Sequence, residues 1–191
     1  WTWRQLFSGV YSILLADLPP ADCYHSLCTG YAGFMLARAW AETQKPCLLT
    51  EHGIYTNERR IEIGSTEWLS DNSSINLNVS GDSFERSLRS LWMDSFTGYS
   101  RLCYGACEQI ITLYEGNKIL EIEDGADPAK LSVIPNGIDY ERFSKVVRDL
   151  NHPPTVALIG RVVPIKDVKT FIRACIILAE NVPNLRVWIM G

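Results

Sequence analysis

The segment "TVALIGRVVPIKDVKTFIRACIILAENVPNLRVWIMG", residues 155–191, decides the fold class. An apolar run over 155–160 ends at Gly160. Apolar residues then recur at helical spacing through 167–181, with Val168, Phe171, Ile172, Cys175 and Leu178 on one buried stripe. Pro183 stops that pattern, and a second apolar run fills 185–190. Strand, helix and strand in that order form a β-α-β unit, whose strands lie parallel because the helix carries the chain back across the sheet.

Arg161 and Lys166 stand where the first strand gives way to the helix. Ligands of an open parallel sheet bind beyond the carboxyl ends of its strands, the edge that residues 160–166 occupy. Asp167 is a residue type suited to cap the helix, whose start carries partial positive charge. A guanidinium and an ammonium added there suit a multiply charged anion. A charge-assisted contact to phosphate is worth roughly 1.5–3 kcal/mol, against about 0–1 kcal/mol for an exposed ion pair. The plain alternative is that Arg161 and Lys166 solvate the loop or pair with Asp167. The fingerprints G-x-G-x-x-G and G-x-x-x-x-G-K-[ST] are absent, which argues against a dinucleotide oxidoreductase or a P-loop ATPase.

Upstream, the same alternation recurs. Residues 22–26, 46–50, 109–114 and 131–135 read as strands. Between them, "TGYAGFMLARAWAETQK" places Phe34, Leu36, Ala37 and Trp40 on a helix, with Gly30 and Gly33 allowing close packing on the sheet. Phe84, Leu88, Leu91, Trp92, Phe96, Tyr99, Leu102 and Cys103 outline a long amphipathic helix, and 115–124 a helix stopped by Gly125. Residues 64–82 are polar and read as a surface insertion or mobile lid, 136–139 as a turn, and 140–154 as a linker ending in two prolines. The result is two α/β domains with parallel sheets covered on both faces: 1–149, lacking its beginning and carrying the linker, and 150–191, the start of a second. A chain that opens on Trp1 and ends on Gly191 reads as an internal fragment of a longer protein, inactive by itself.

Composition narrows the function classes. The 191 residues are 47 % hydrophobic and 21 % charged, with net charge −4 and a pI near 5.4. No basic face for nucleic acid is expected from that balance, and no apolar run approaches the ~20 residues of a membrane span. The six cysteines (23, 28, 47, 103, 107 and 175) form no C-x-x-C pair and sit in apolar stretches, as reduced, buried thiols of a cytoplasmic protein do. No metal site is expected. Most of the tryptophans fall in helical stripes, where core packing is the expectation, and Trp68 on the polar insertion is a candidate sugar-stacking residue.

His52 follows "CLLT" at a strand's carboxyl end, where a neutral imidazole can donate one hydrogen bond to a sugar or phosphate. Glu51 beside it is a candidate for orienting His52 or an acceptor. His25 ends another strand and, with Thr29 and Gly30, is a candidate for lining a cleft. His152 in the linker reads as solvent-exposed, and Arg59 and Arg60 beside Glu58 as a solvated face.

The segment 159–191, with its Gly160-Arg161-(VVPI)-Lys166, closely resembles the start of the donor-binding domain of family-four retaining glycosyltransferases, whose G-R-x-x-x-x-K motif holds the diphosphate of a nucleotide sugar. Many members follow the lysine with glycine, where this chain has Asp167. That departure, with "TGYAGFMLA", "LLTEHGIYTNERRIEI", "ITLYEGNKILEIEDGA" and "VIPNGID", makes the chain most similar to the Pel exopolysaccharide glycosyltransferases (PelF type) over most of residues 22–191. The resemblance implies a phosphorylase-like (GT-B) fold of two Rossmann-like domains facing a cleft, with the acceptor on the first and the donor on the second. It implies a diphosphate held by Gly160, Arg161 and Lys166, and His52 as the histidine that reaches donor sugar and phosphate. It implies transfer of a hexose or N-acetylhexosamine from a UDP-sugar to a glycan acceptor, without metal or other cofactor. Its partners are that nucleotide sugar, the acceptor and a membrane-bound polysaccharide synthase complex at the cytoplasmic face. The competing readings are a non-catalytic nucleotide-sugar binding module and a sugar phosphorylase or epimerase on the same fold.

Overall fold

The computed structural model describes residues 2–65, 74–79, 82–147 and 151–191. The chain is an α/β protein that divides into two compact units, Trp1–Asn136 and Gly137–Gly191.

In the first unit, β1 (Tyr24–Ser26), β2 (Cys47–Glu51), β5 (Gln109–Thr112) and β6 (Leu131–Val133) form a four-stranded sheet in the order β1-β2-β5-β6. Every pairing is parallel, and the register sets Glu51 beside Thr112 at the carboxyl edge. The helices are α1 (Thr2–Leu15), α2 (Gly30–Thr43), α3 (Tyr55–Gly64), α4 (Leu88–Ala106) and α5 (Glu115–Asp124). Helix α1 has no counterpart in the sequence reading, although Phe7, Val10, Ile13 and Leu14 are spaced to give it one apolar side.

The core lies between α2, α4 and the sheet, where Leu36, Leu49, Tyr104, Ile110 and Leu131 pack with Cys47, Cys103 and Cys107. Gly33 serves a helix contact rather than a sheet contact: a Cβ there would lie 2.9 Å from Cβ and Sγ of Cys103 on α4. The inward residues of α2 are Gly30, Gly33, Leu36 and Ala39, while Trp40, expected inside, is exposed in the last turn of the helix. A second cluster joins α2, α3 and α4 through Ile63, Phe96, Tyr31, Tyr55, Trp92 and Tyr99. Arg59 is drawn into it, 5.0 Å from the Tyr55 ring centroid and paired with Glu62 at 2.5 Å. This residue is therefore half-buried, not part of a solvated face, because the aromatic rings attract a guanidinium.

Part of the insertion at 64–82 is strand rather than loop. Strands β3 (Ser74–Val79) and β4 (Asp82–Ser87) pair antiparallel from Ser74↔Ser87 to Val79↔Asp82. Ile75, Leu77 and Val79 alternate with polar residues, the period-two pattern of a strand. Phe84 accordingly belongs to β4, and the long helix starts at Leu88. The part of the insertion carrying Trp68 lies outside the described residues. All cysteines are free, but Cys23 is exposed and Cys28 half-buried, since both sit in connections flanking the short edge strand β1.

The second unit holds α6 (Tyr140–Ser144), capped by Asp139 within the expected linker, and the β-α-β of β7 (Thr155–Ile159), α7 (Val168–Ala179) and β8 (Arg186–Met190). β7 and β8 pair parallel from Thr155↔Arg186 to Ile159↔Met190. Of the stripe expected on α7, Cys175 is buried, Val168 and Phe171 half-buried, and Ile172 and Leu178 exposed. A sheet of two strands is too narrow to cover a whole helix face. Trp188 lies on β8, within the expected strand, and is exposed. No helix among the described residues is long and apolar enough to cross a membrane.

Candidate functional site

The phosphate-motif residues lie at the carboxyl end of β7. Gly160 leaves the strand with φ +152°, a conformation open to glycine, and donates its N–H to the Met190 carbonyl at 2.9 Å. A Cβ on Gly160 would meet nothing within 4 Å, so the backbone there faces open space. The chain then closes a 3-10 turn, Pro164–Lys166, with Lys166 N–H on the Val163 carbonyl and Asp167 N–H on the Pro164 carbonyl, each 3.0 Å. Asp167 caps α7: its carboxylate accepts from the Thr170 N–H at 3.2 Å. Those bonds to Thr170, then the charges of Arg173 and Lys169, hold its carboxyl below the usual range.

Arg161 and Lys166 are both exposed, and among the described residues neither makes an ion pair or a side-chain hydrogen bond. The pairing with Asp167 weighed above is therefore not formed. A pocket of 340 Å³ opens beside them, lined by Val162, Val163, Pro164, Asp167, Val168 and Lys169. The site thus offers two free cations and an open backbone. One N–H of the helix start is already taken by Asp167.

In the first unit, the candidates gather at the carboxyl edge of β1 and β2 but divide by depth. His25, exposed on β1, has Nε2 2.9 Å from Thr50 Oγ1 on β2. His52 is exposed in the turn that follows β2. Glu51, Thr29 and Gly30 are buried. Gly30 opens α2 at φ +71°, and a Cβ there would come within 2.3 Å of the Tyr55 ring, so only glycine lets the starts of α2 and α3 meet. Glu51 accepts hydrogen bonds from Thr29 Oγ1 (3.0 Å), the Tyr55 N–H (3.2 Å) and Tyr104 Oη (2.8 Å). Burial pushes its carboxyl above the usual range, while the bonds from Tyr104, Tyr55 and Thr29 pull it down. His152, in the second unit, is exposed.

Sequence reasoning missed the residues that surround Glu51. Glu121, wholly buried on α5, has neither oxygen in hydrogen-bond geometry with a neighbour, and Thr112 Oγ1 and Asn117 Nδ2 are likewise unpartnered and buried. Burial and the charge of Glu51 push Glu121 up to about 7, against a downward pull from the Thr112 hydroxyl. Asp124, one turn on, accepts from the Thr56 hydroxyl. The available signal was the four-residue spacing of Asn117 and Glu121, which shares one helix face. Among the described residues no three His, Cys, Asp or Glu side chains converge as metal ligands do.

Residues 1–129 match the family described as "Domain of unknown function (DUF3492)". The chain belongs to that family. The match takes in the Glu51 cluster and both histidines of the sheet edge. A stretch of 69 residues is also 38 % identical to a D-inositol 3-phosphate glycosyltransferase of Actinosynnema mirum, covering 32 % of this chain and 16 % of that protein. The chain thus spans a small part of the relative's length.

Proposed function

We propose that the chain is part of a retaining glycosyltransferase that uses a nucleotide-diphosphate sugar. The observation that carries this is the unpaired Arg161 and Lys166 at the carboxyl end of β7, beside an open glycine backbone. Similarity to a named glycosyltransferase supports the same reading. In the finer form, residues 150–191 begin the donor-binding domain and 1–149 face the acceptor across a cleft of the GT-B type. His52 reaches the donor, and His25, Thr29, Gly30 and Glu51 belong to the acceptor side. A UDP-sugar, no other cofactor, and exopolysaccharide synthesis in a Pel-type complex at the cytoplasmic face of a membrane complete the proposal.

The chemistry follows from charge. When the bond from the anomeric carbon to the diphosphate breaks, the leaving nucleoside diphosphate takes the electron pair and gains negative charge. Arg161 can meet it with a planar fork and Lys166 with a compact ammonium, so both interactions strengthen as the charge forms. The acceptor oxygen bonds to the anomeric carbon on the same face, and its proton passes to the leaving phosphate.

Lys166→Ala in the full-length protein is expected to lower transfer from UDP-glucose by more than about tenfold, the loss of one charge-assisted contact, with an unchanged melting temperature. Parent-level transfer by that variant refutes the reading. Binding of UDP-glucose by the parent without any transfer favours a binding module instead.

A further inference from the structure

Helices α2 and α3 both start without a side-chain cap of their own: the N-cap residues Thr29 and Ile54 make no capping bond. One carboxylate serves both starts. Glu51 Oε1 accepts from the Thr29 hydroxyl and from the Tyr55 N–H, the first N–H of α3, while Oε2 accepts from Tyr104 of α4. The first N–H of α3 and the hydroxyls of Thr29 and Tyr104, all donating to one buried carboxylate, favour its charge. Between Glu51 and Tyr55 lies only the turn His52-Gly53-Ile54, so the carboxylate reaches across that turn and fixes both its ends. Gly30 packing against the Tyr55 ring closes the same junction from the side of α2.

We propose that Glu51 is a positioning residue: its buried carboxylate, shared between the starts of α2 and α3, holds the His52 turn in a fixed orientation at the edge of the sheet. Wholly buried, it acts through the turn. The proposal rests on the reading of His52 as the residue that faces the donor.

The test compares the full-length parent with Glu51→Asp, Glu51→Gln and Tyr104→Phe. Aspartate is too short to hold all three donors, whereas glutamine keeps an acceptor for Thr29 and Tyr55. In Glu51→Asp, amide exchange over 52–55, followed by mass spectrometry, is expected to quicken by about tenfold or more, with 115–124 unchanged. Its kcat with UDP-glucose is expected to fall by about tenfold or more while KM stays within about threefold, because misplacing a group by an ångström is enough for such a loss. Glu51→Gln returns the exchange over 52–55 to the parent rate. Tyr104→Phe lowers the melting temperature and leaves that exchange alone. Should Glu51→Asp fail to fold, Thr29→Val carries the same comparison. Parent-like exchange over 52–55 in the substituted protein, with a lowered melting temperature only, overturns the proposal. His52→Ala separates the two ideas: full transfer by that variant removes the functional reading, while the exchange data still decide what Glu51 does.

Discussion

Glu121 is the residue whose burial has the clearest consequence for the solution behaviour of this protein. A glutamate that titrates near 7 when folded and near 4.5 when unfolded binds its proton more tightly in the native state. Its favourable contribution is therefore complete below pH 4.5 and is lost as the pH rises through 7, up to about 3 kcal/mol over that window. Burial also raises Glu51, so the second carboxyl acts in the same direction. Glu121→Gln is expected to flatten the fall in stability between pH 5 and 8 and to exceed the parent in melting temperature at pH 8. A variant with the parent's full pH dependence would show that Glu121 is not the group responsible. The spacing from Asn117 marks its helix face but not its shift, which comes from the loss of water and from Glu51, seventy positions away.

At the scale of elements, α5 and α7 depart from simple amphipathicity in different ways. Helix α5 buries Asn117 and Glu121 while Ile119 and Ile122 are exposed. A helix that turns its polar residues inward at the carboxyl edge of a parallel sheet faces a polar site rather than an oil-like core. Helix α7 begins at Asp167, held at φ +44° in the left-handed region. Glycine is free there and aspartate tolerates it, and Asp167 adds a cap. Asp167→Ala loses the cap and keeps the strain, and is expected to cost about 1–2 kcal/mol in chemical denaturation. Asp167→Gly is expected to cost only a few tenths. Equal losses for the two variants would mean that the cap, not the backbone, sets the cost.

The whole molecule is uneven. Residues 1–136 enclose a core that includes Leu49, Tyr104, Cys103 and Ile110, all at or below 1 % exposure. Across 137–191 Cys175 is the one buried apolar residue among those described. A sheet of two strands and one long helix buries too little apolar surface to offset the ordering of its backbone. A polypeptide of residues 1–136 is expected to melt cooperatively by circular dichroism, and one of 137–191 to show no cooperative transition. A sharp transition in the shorter piece would show that it folds on its own. The same unevenness explains where the reading of α7 went astray: the stripe was legible, but how much of it is covered depends on the width of the sheet beneath.

The order of the parallel strands, the helices α2, α4, α5 and α7 between them and the Gly160–Lys166 loop were determined by the sequence alone, because periodicity, breakers and turn residues act over a few neighbours and leave their mark locally. The β3–β4 pairing had the same kind of local mark, the alternation of Ile75, Leu77 and Val79, beneath a polar composition. Tertiary structure alone decided that Glu51 lies inside among Thr29, Tyr55 and Tyr104, that Glu121 is wholly buried, that Gly30 makes room for Tyr55, and that Arg161 and Lys166 stay clear of Asp167. Each depends on which distant side chain arrives and on how much water is shut out, and the free energy of a charge is set by both.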